Sequence, residues 1–293
     1  MKTNKKTLIA IAFLFAASGL GASGLDTLYF RNAEDSLVYL ADRIVEPHAD
    51  ALRLDNNKEF ISYLEEVMLN EHSFSYPFDS LQTVSFLYSP DKMFRIVTWY
   101  VPLSAGRFEY FGLIQRAGGG EISDRLIWLE QHQGGIDLRE QSSLQAGEWY
   151  GAFYYDMIHH RHDGTDVYTL LAWKGKDRIS RIRLVEPLVF KEGVPLFGSK
   201  VFDRPFEDNY RIVFEYSASV SMSLKYEKDL IVADGVSIPM IVFDRLEPQS
   251  ESLKGHYQFY FPEVNIFDGL MLKEGKWLLV EDVDARMPDP GSN

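Results

Sequence analysis

The sequence contains no cysteine. That excludes disulfides, thiolate metal centres and lipid attachment at a cysteine lipobox. Basic residues are few: Lys and Arg total 30 against 43 Asp and Glu, for a formal net charge of −13. No basic stripe interrupts this balance. An acidic surface keeps a chain soluble and repels nucleic acid and anionic membranes, so no nucleic-acid partner is expected. Long apolar runs are also missing. The longest, Leu8 to Ala17, is too short for a confident membrane span. Short catalytic signatures are absent too: the chain has no Gly-x-Ser-x-Gly elbow and no His-Glu-x-x-His. The run Gly118-Gly119-Gly120 lacks the Lys-Ser/Thr of a phosphate loop. No cofactor is expected.

The N-terminus has the order of a secretory signal. Lys2, Lys5 and Lys6 precede the apolar run, and small residues from Ser18 to Gly24 follow it. The expected organisation is a signal peptide over residues 1–24, a helical segment over 25–80 and a β-rich domain over 81–293. The mature protein is expected to be exported, periplasmic or extracellular, with no membrane span after signal removal. Lacking disulfides, it must rely on its core, and 293 residues suffice for a large one.

Two apolar stripes at helical spacing open the mature chain: Leu37, Leu40, Ala41 and Ile44, then Phe60, Leu64, Val67 and Met68. Pro47 stops the first helix, and Asn56 or Asn57 is expected to cap the second. From Thr83 the apolar period changes to two. Phe94, Ile96, Thr98 and Tyr100 alternate with Val97, Trp99 and Val101, so both faces of that strand are apolar and it is expected to be central. A turn at Leu103 to Gly106 then forms a hairpin. The stretch Val220, Met222, Leu224, Tyr226 alternates with polar residues and reads as a half-wet strand. Gly164, Gly193, Gly235 and Gly275 each follow an acidic residue between aromatic and β-branched runs, which predicts tight hairpins. Aromatic residues make up 14% of the chain, and such residues favour pleated sheet. The fold class that follows is mainly β, in antiparallel sheets, with an N-terminal helical layer; a small β-propeller is the alternative.

Several strings carry a resemblance: Tyr76 to Leu81, Ser89 to Ile96, Trp149 to Ala152, Tyr168 to Trp173 and Phe214 to Ser217. On these the chain resembles a family of exported bacterial proteins with no assigned activity. The resemblance implies export and brings no site residues with it.

Candidate chemistry is sparse. In His159-His160-Arg161-His162-Asp163, His160 and His162 share a strand face and could ligate a metal, with Asp163 or Asp166 adding an oxygen. A polar hairpin tip accounts for the same residues. Glu281, Asp282 and Asp284 could share a strand face for Ca²⁺ or acid–base work, or be a solvated strand end. Asp244-Arg245 could be a site pair or a structural ion pair. Five tryptophans and many tyrosines could stack on carbohydrate, but most lie in apolar runs that suit a core. The function these readings favour is a non-enzymatic binding or accessory protein of the cell envelope, its partner an envelope protein or a glycan. The alternative is a hydrolase acting on envelope or carbohydrate substrates.

Overall fold

A computed structural model describes residues 19–118, 120–132, 141–231 and 237–284. Two antiparallel helices, α1 (Gly19–Val45) and α2 (Asp50–Met68), precede three antiparallel sheets. The first sheet runs β1 (Ser85–Tyr88), β2 (Phe94–Pro102), β3 (Phe108–Arg116), β4 (Leu126–Leu129), in that order. The second has the order β5 (Leu144–Gln145), β9 (Val194–Phe197), β8 (Ser180–Lys191), β7 (Thr165–Gly175), β6 (Phe153–His162), with β10 (Ile212–Ser217) also paired to β8. The third is a meander of β11 (Leu224–Ile231), β12 (Ser237–Pro248), β13 (Tyr260–Lys273) and β14 (Lys276–Val280).

The apolar patterning stacks these elements as layers. One face of β2, with Val97, Trp99 and Val101, packs on Leu37, Phe60, Leu64 and Val67 of the helices. Its other face, with Phe94 and Ile96, packs on Tyr168, Leu170 and Leu184 of sheet 2. Sheet 2 in turn presents Val167, Leu171 and Val185 to Ile241, Leu270 and Trp277 of sheet 3. Strand β2 is therefore central and dry on both faces, as its pattern predicts. The sheets lie face to face and close no barrel, so the propeller alternative is not what is observed. Among the described residues no helix is long and apolar enough to cross a membrane.

The turn chemistry reads directly onto the fold. Asp163-Gly164, Glu192-Gly193 and Glu274-Gly275 join their strands as two-residue loops with positive φ at both positions, the type I′ geometry whose twist matches that of the flanking strands. Gly275 is needed for space as well: a Cβ there would sit 2.3 Å from the Arg161 carbonyl oxygen. The expected turn at Gly235 lies outside the described residues.

Three local expectations are corrected. Asn56 and Asn57 do not cap α2, which starts at Asp50; both are buried inside it. Asn57 Oδ1 accepts a 2.7 Å hydrogen bond from Trp99 Nε1, and Asn56 bonds the side chain and carbonyl of Arg43, so the pair ties α2 to sheet 1 and to α1. The alternating stretch from Val220 becomes strand only at Leu224, because Ala218 and Val220 close a turn back onto Ile179 and Ser217. Strand β14 stops at Val280, so Glu281, Asp282 and Asp284 lie beyond it and share no strand face.

Two buried polar clusters hold the layers. Arg95, fully buried on β2, has no carboxylate partner among the described residues. Its guanidinium bonds Gln115, the carbonyls of Ser73 and Tyr76, and the Tyr88 hydroxyl, and lies 5.2–5.6 Å from the rings of Phe74, Phe78, Phe86 and Tyr88. Burial pushes its pKa down to about 10. It thereby fastens the connector between α2 and β1 onto the sheet. In sheet 2, Glu186 and Arg211 form a 2.7 Å ion pair with neither side chain exposed. Tyr154 donates to the second Glu186 oxygen, and Arg211 also bonds the carbonyls of Ser142 and Phe197. Burial, then the Glu186 charge, drives the Tyr154 phenol well above its ordinary pKa. Glu186 has a donor on each oxygen and each Arg211 nitrogen has an acceptor, the kind of added bonding under which a buried pair is tolerated.

Candidate functional site

The hairpin of β6 and β7 carries the histidine cluster, and the strand pleat splits it. His160 and His162 face sheet 3. His160 is buried (7% exposed), its ring edge-on to Trp277 at 5.5 Å. Its Nε2 lies 3.0 Å from Thr169 Oγ1, which also accepts from Trp277 Nε1 at 2.9 Å. The Nδ1 atoms of His160 and His162 are buried with no hydrogen-bond partner among the described residues. Burial, aided by the neighbouring His159 and His162, pushes the His160 pKa down to about 4. Asp163 sits at the turn, its side chain 90% exposed, within 3.4 Å of His162. Among the described residues no three His, Asp or Glu side chains converge on a common point that would hold a metal ion. His160, His162 and Asp163 thus belong to a core edge and a turn.

His159, on the opposite face, opens on a different neighbourhood. Its ring stacks on Tyr168, directly across the ladder, at 4.7 Å and 11°. Its Nε2 donates to Asp166 at 3.0 Å, and Arg161 lies 3.4 Å from the same carboxylate. Tyr168 reaches across to sheet 1 and donates to Asp91 Oδ2 at 2.6 Å. Asp91 lies in the turn between β1 and β2, where it also accepts from the backbone N–H of Met93. Burial works to raise the Asp91 pKa, but hydrogen bonds from Ser89, Tyr168 and Met93, with the nearby His159, outweigh it and hold the carboxyl below its usual value. Burial, then the bond to Asp91, raises the Tyr168 phenol.

These residues border a cleft of about 580 Å³ lined by residues of sheets 1 and 2. Met93, Phe94 and Arg116 line it from sheet 1; Asp166, Tyr168, Phe190 and Gly193 line it from sheet 2. Arg116 spans the mouth: its guanidinium lies over the Phe190 ring at 6.0 Å and donates to the Gly193 carbonyl in the turn between β8 and β9. The volume is that of a small-molecule pocket, and the lining combines an apolar body with a few oriented polar groups, as such pockets do.

The remaining sequence candidates assemble elsewhere. Arg245 joins Asp268 through two hydrogen bonds and Asp282 at 2.9 Å, so two candidates read as separate belong to one ion cluster on sheet 3. Asp282 reaches it by taking a positive φ of 56°, which turns the chain back after β14. Asp244 instead exchanges backbone and side-chain bonds with Ser223. Burial raises its pKa, against its bond with Ser223 and the charges of Arg183 and Lys225. Glu281 and Asp284 are exposed. Trp99, Trp149 and Trp277 are fully buried, as the core reading of the aromatics expects.

Asp91, Arg116 and Phe190 were not legible as site residues. The only local signal is the Ser89-Pro90-Asp91 turn; nothing in sequence relates it to Tyr168, 77 positions away. No family model matches the chain, and no curated protein or solved structure shows significant similarity to it.

Proposed function

We propose that this is an exported, non-enzymatic binding protein of the cell envelope, and that the cleft between sheets 1 and 2 receives its ligand. The observation that carries the reading is the state of the cleft carboxylates. Asp91 is held ionised by three hydrogen bonds, and Asp166 is engaged by His159 and Arg161. A hydrolase that cleaves glycosides needs one carboxyl kept protonated to donate to the leaving group. Asp91 is held in the opposite state. Asp244 is a carboxyl raised by burial, but it lies on sheet 3, away from the cleft, and the charges that act on it are those of Arg183 and Lys225. The lining, with Met93, Phe94, Tyr168 and Phe190, suits an apolar group better than a glycan. Export rests on the order of basic, apolar and small residues at the N-terminus.

Two measurements test this. Mass spectrometry of protein from its native envelope fraction should find a mature N-terminus between Ala22 and Leu25; an intact Met1 there removes the export reading. A screen of the purified protein against glycan, ester and peptide substrates should show no turnover. Turnover lost on Asp91→Asn would make the protein an enzyme and the cleft its active site.

A further inference from the structure

We infer that the ligand of this cleft is a small amphiphile with an anionic head, carboxylate or phosphate, whose head pairs with Arg116 while its apolar body lies against Phe94, Tyr168 and Phe190. The inference rests on the binding reading above and adds the ligand's chemical class. It follows from comparing the three charged side chains that line the cleft. Asp166 already has a one-to-one counter-charge in Arg161, with His159 as a further donor. Asp91 has its oxygens filled by Tyr168, Ser89 and the Met93 N–H. Both carboxylates are thus already engaged by protein donors, and the charge of Asp166 is already countered by Arg161. Arg116 is in the opposite condition. Among the described residues it makes no ion pair, and its one hydrogen bond goes to the Gly193 carbonyl.

A guanidinium carries five N–H donors in a planar fork that matches two oxygens of a carboxylate or phosphate. One N–H goes to the Gly193 carbonyl and the Phe190 ring lies 6.0 Å away, so most of the fork's donors have no protein acceptor among the described residues. The bond to Gly193 and the nearby Phe190 ring restrict the side chain, which lowers the entropy lost when an anion binds. Charges more than about 8 Å apart are largely screened at physiological ionic strength, so the distant part of the protein's net negative charge weighs little on an anion beside Arg116. At contact the guanidinium decides. Residues of the described structure provide the apolar half as well: a body of moderate length fits about 580 Å³ lined chiefly by carbon.

Calorimetric titration of the full-length mature protein with decanoate, decyl phosphate, decanol and decylamine, each below its micellar concentration, tests this. Decanoate or decyl phosphate should bind at least tenfold more tightly than decanol and decylamine. Arg116→Gln should lose about tenfold of that affinity, a difference of about 1.4 kcal/mol, and Arg116→Lys should lose less. Whichever anionic probe binds more tightly identifies the head group. Equal binding of decanol or decylamine, or an unchanged affinity in Arg116→Gln, overturns the inference while leaving a binding cleft in place. If none of the four probes binds, the inference fails. If in addition Phe190→Trp fluorescence responds to no glycan or amphiphile, the binding reading fails with it.

Discussion

Tyr168 on β7 and Asp91 in the turn before β2 share a 2.6 Å hydrogen bond that links sheet 2 to sheet 1 beside the cleft. The phenol is nearly buried and the carboxylate is ionised, so the bond is charge-assisted and leaves neither group to water alone. Tyr168→Phe removes the donor and keeps the ring stacked on His159. The expected outcome is a loss of about 0.5–1.5 kcal/mol in urea unfolding, the range for a typical hydrogen bond, because solvent around the exposed Asp91 screens its charge. In the same variant the Asp91 carboxyl should titrate at higher pH by NMR, because one of the bonds that holds it ionised is gone.

His160 sets a pH dependence. The unfolded ring titrates near the ordinary value of 6.5, and the folded ring is pushed down to about 4 by burial. Between those values the unfolded chain binds the extra proton, so stability falls as pH falls from about 6.5 and levels off near 4. The loss from this one group is at most about 3 kcal/mol. Chemical denaturation across pH 4 to 7 should show the decline, and His160→Phe should flatten it.

Glu186 and Arg211 make a pair that neither residue can leave alone. Arg211→Met leaves the Glu186 carboxylate buried with only Tyr154, and should cost about 3–5 kcal/mol. Glu186→Gln should cost less, because its amide still accepts from Arg211 or Tyr154. The double variant should be less damaging than the two single losses added together; a strictly additive result in a thermodynamic cycle would show that the pair is not coupled.

Asn57 provides a test of local preference against tertiary demand. Leucine is the better helix former by a few tenths of a kcal/mol. Asn57→Leu nevertheless orphans the indole N–H of the fully buried Trp99, at a cost of about 1–3 kcal/mol. Thermal unfolding should therefore show a net destabilisation, with helix content in the folded state unchanged.

Much of the architecture was readable because it depends on short-range regularities. A period of 3.6 around Leu64 and a period of two around Trp99 each report how a local segment buries one or both of its faces. The acid-glycine pairs at Gly164, Gly193 and Gly275 report a backbone conformation that few other pairs adopt easily. The helical layer, the central position of β2 and the antiparallel sheets all follow from such patterns. Asn56 and Asn57 misled for the same reason: local preference puts asparagine at a helix start, and only the approach of Trp99 and Arg43 makes two mid-helix amides worth burying. The histidine cluster shows where pattern ends. Alternation alone places His160 and His162 on one face and His159 on the other, but whether a face meets Trp277 or Asp91 depends on which sheet stacks there. The cleft lies further still from the sequence. Arg116, Tyr168 and Phe190 come from three strands in two sheets, and their meeting with Asp91 is fixed by the packing of those sheets. The chain by itself determined its period, its turns and its cysteine-free, acidic composition, because each is a property of neighbours in sequence. The site was decided only by the tertiary structure, because distance across stacked sheets is set by side-chain packing that no local pattern encodes.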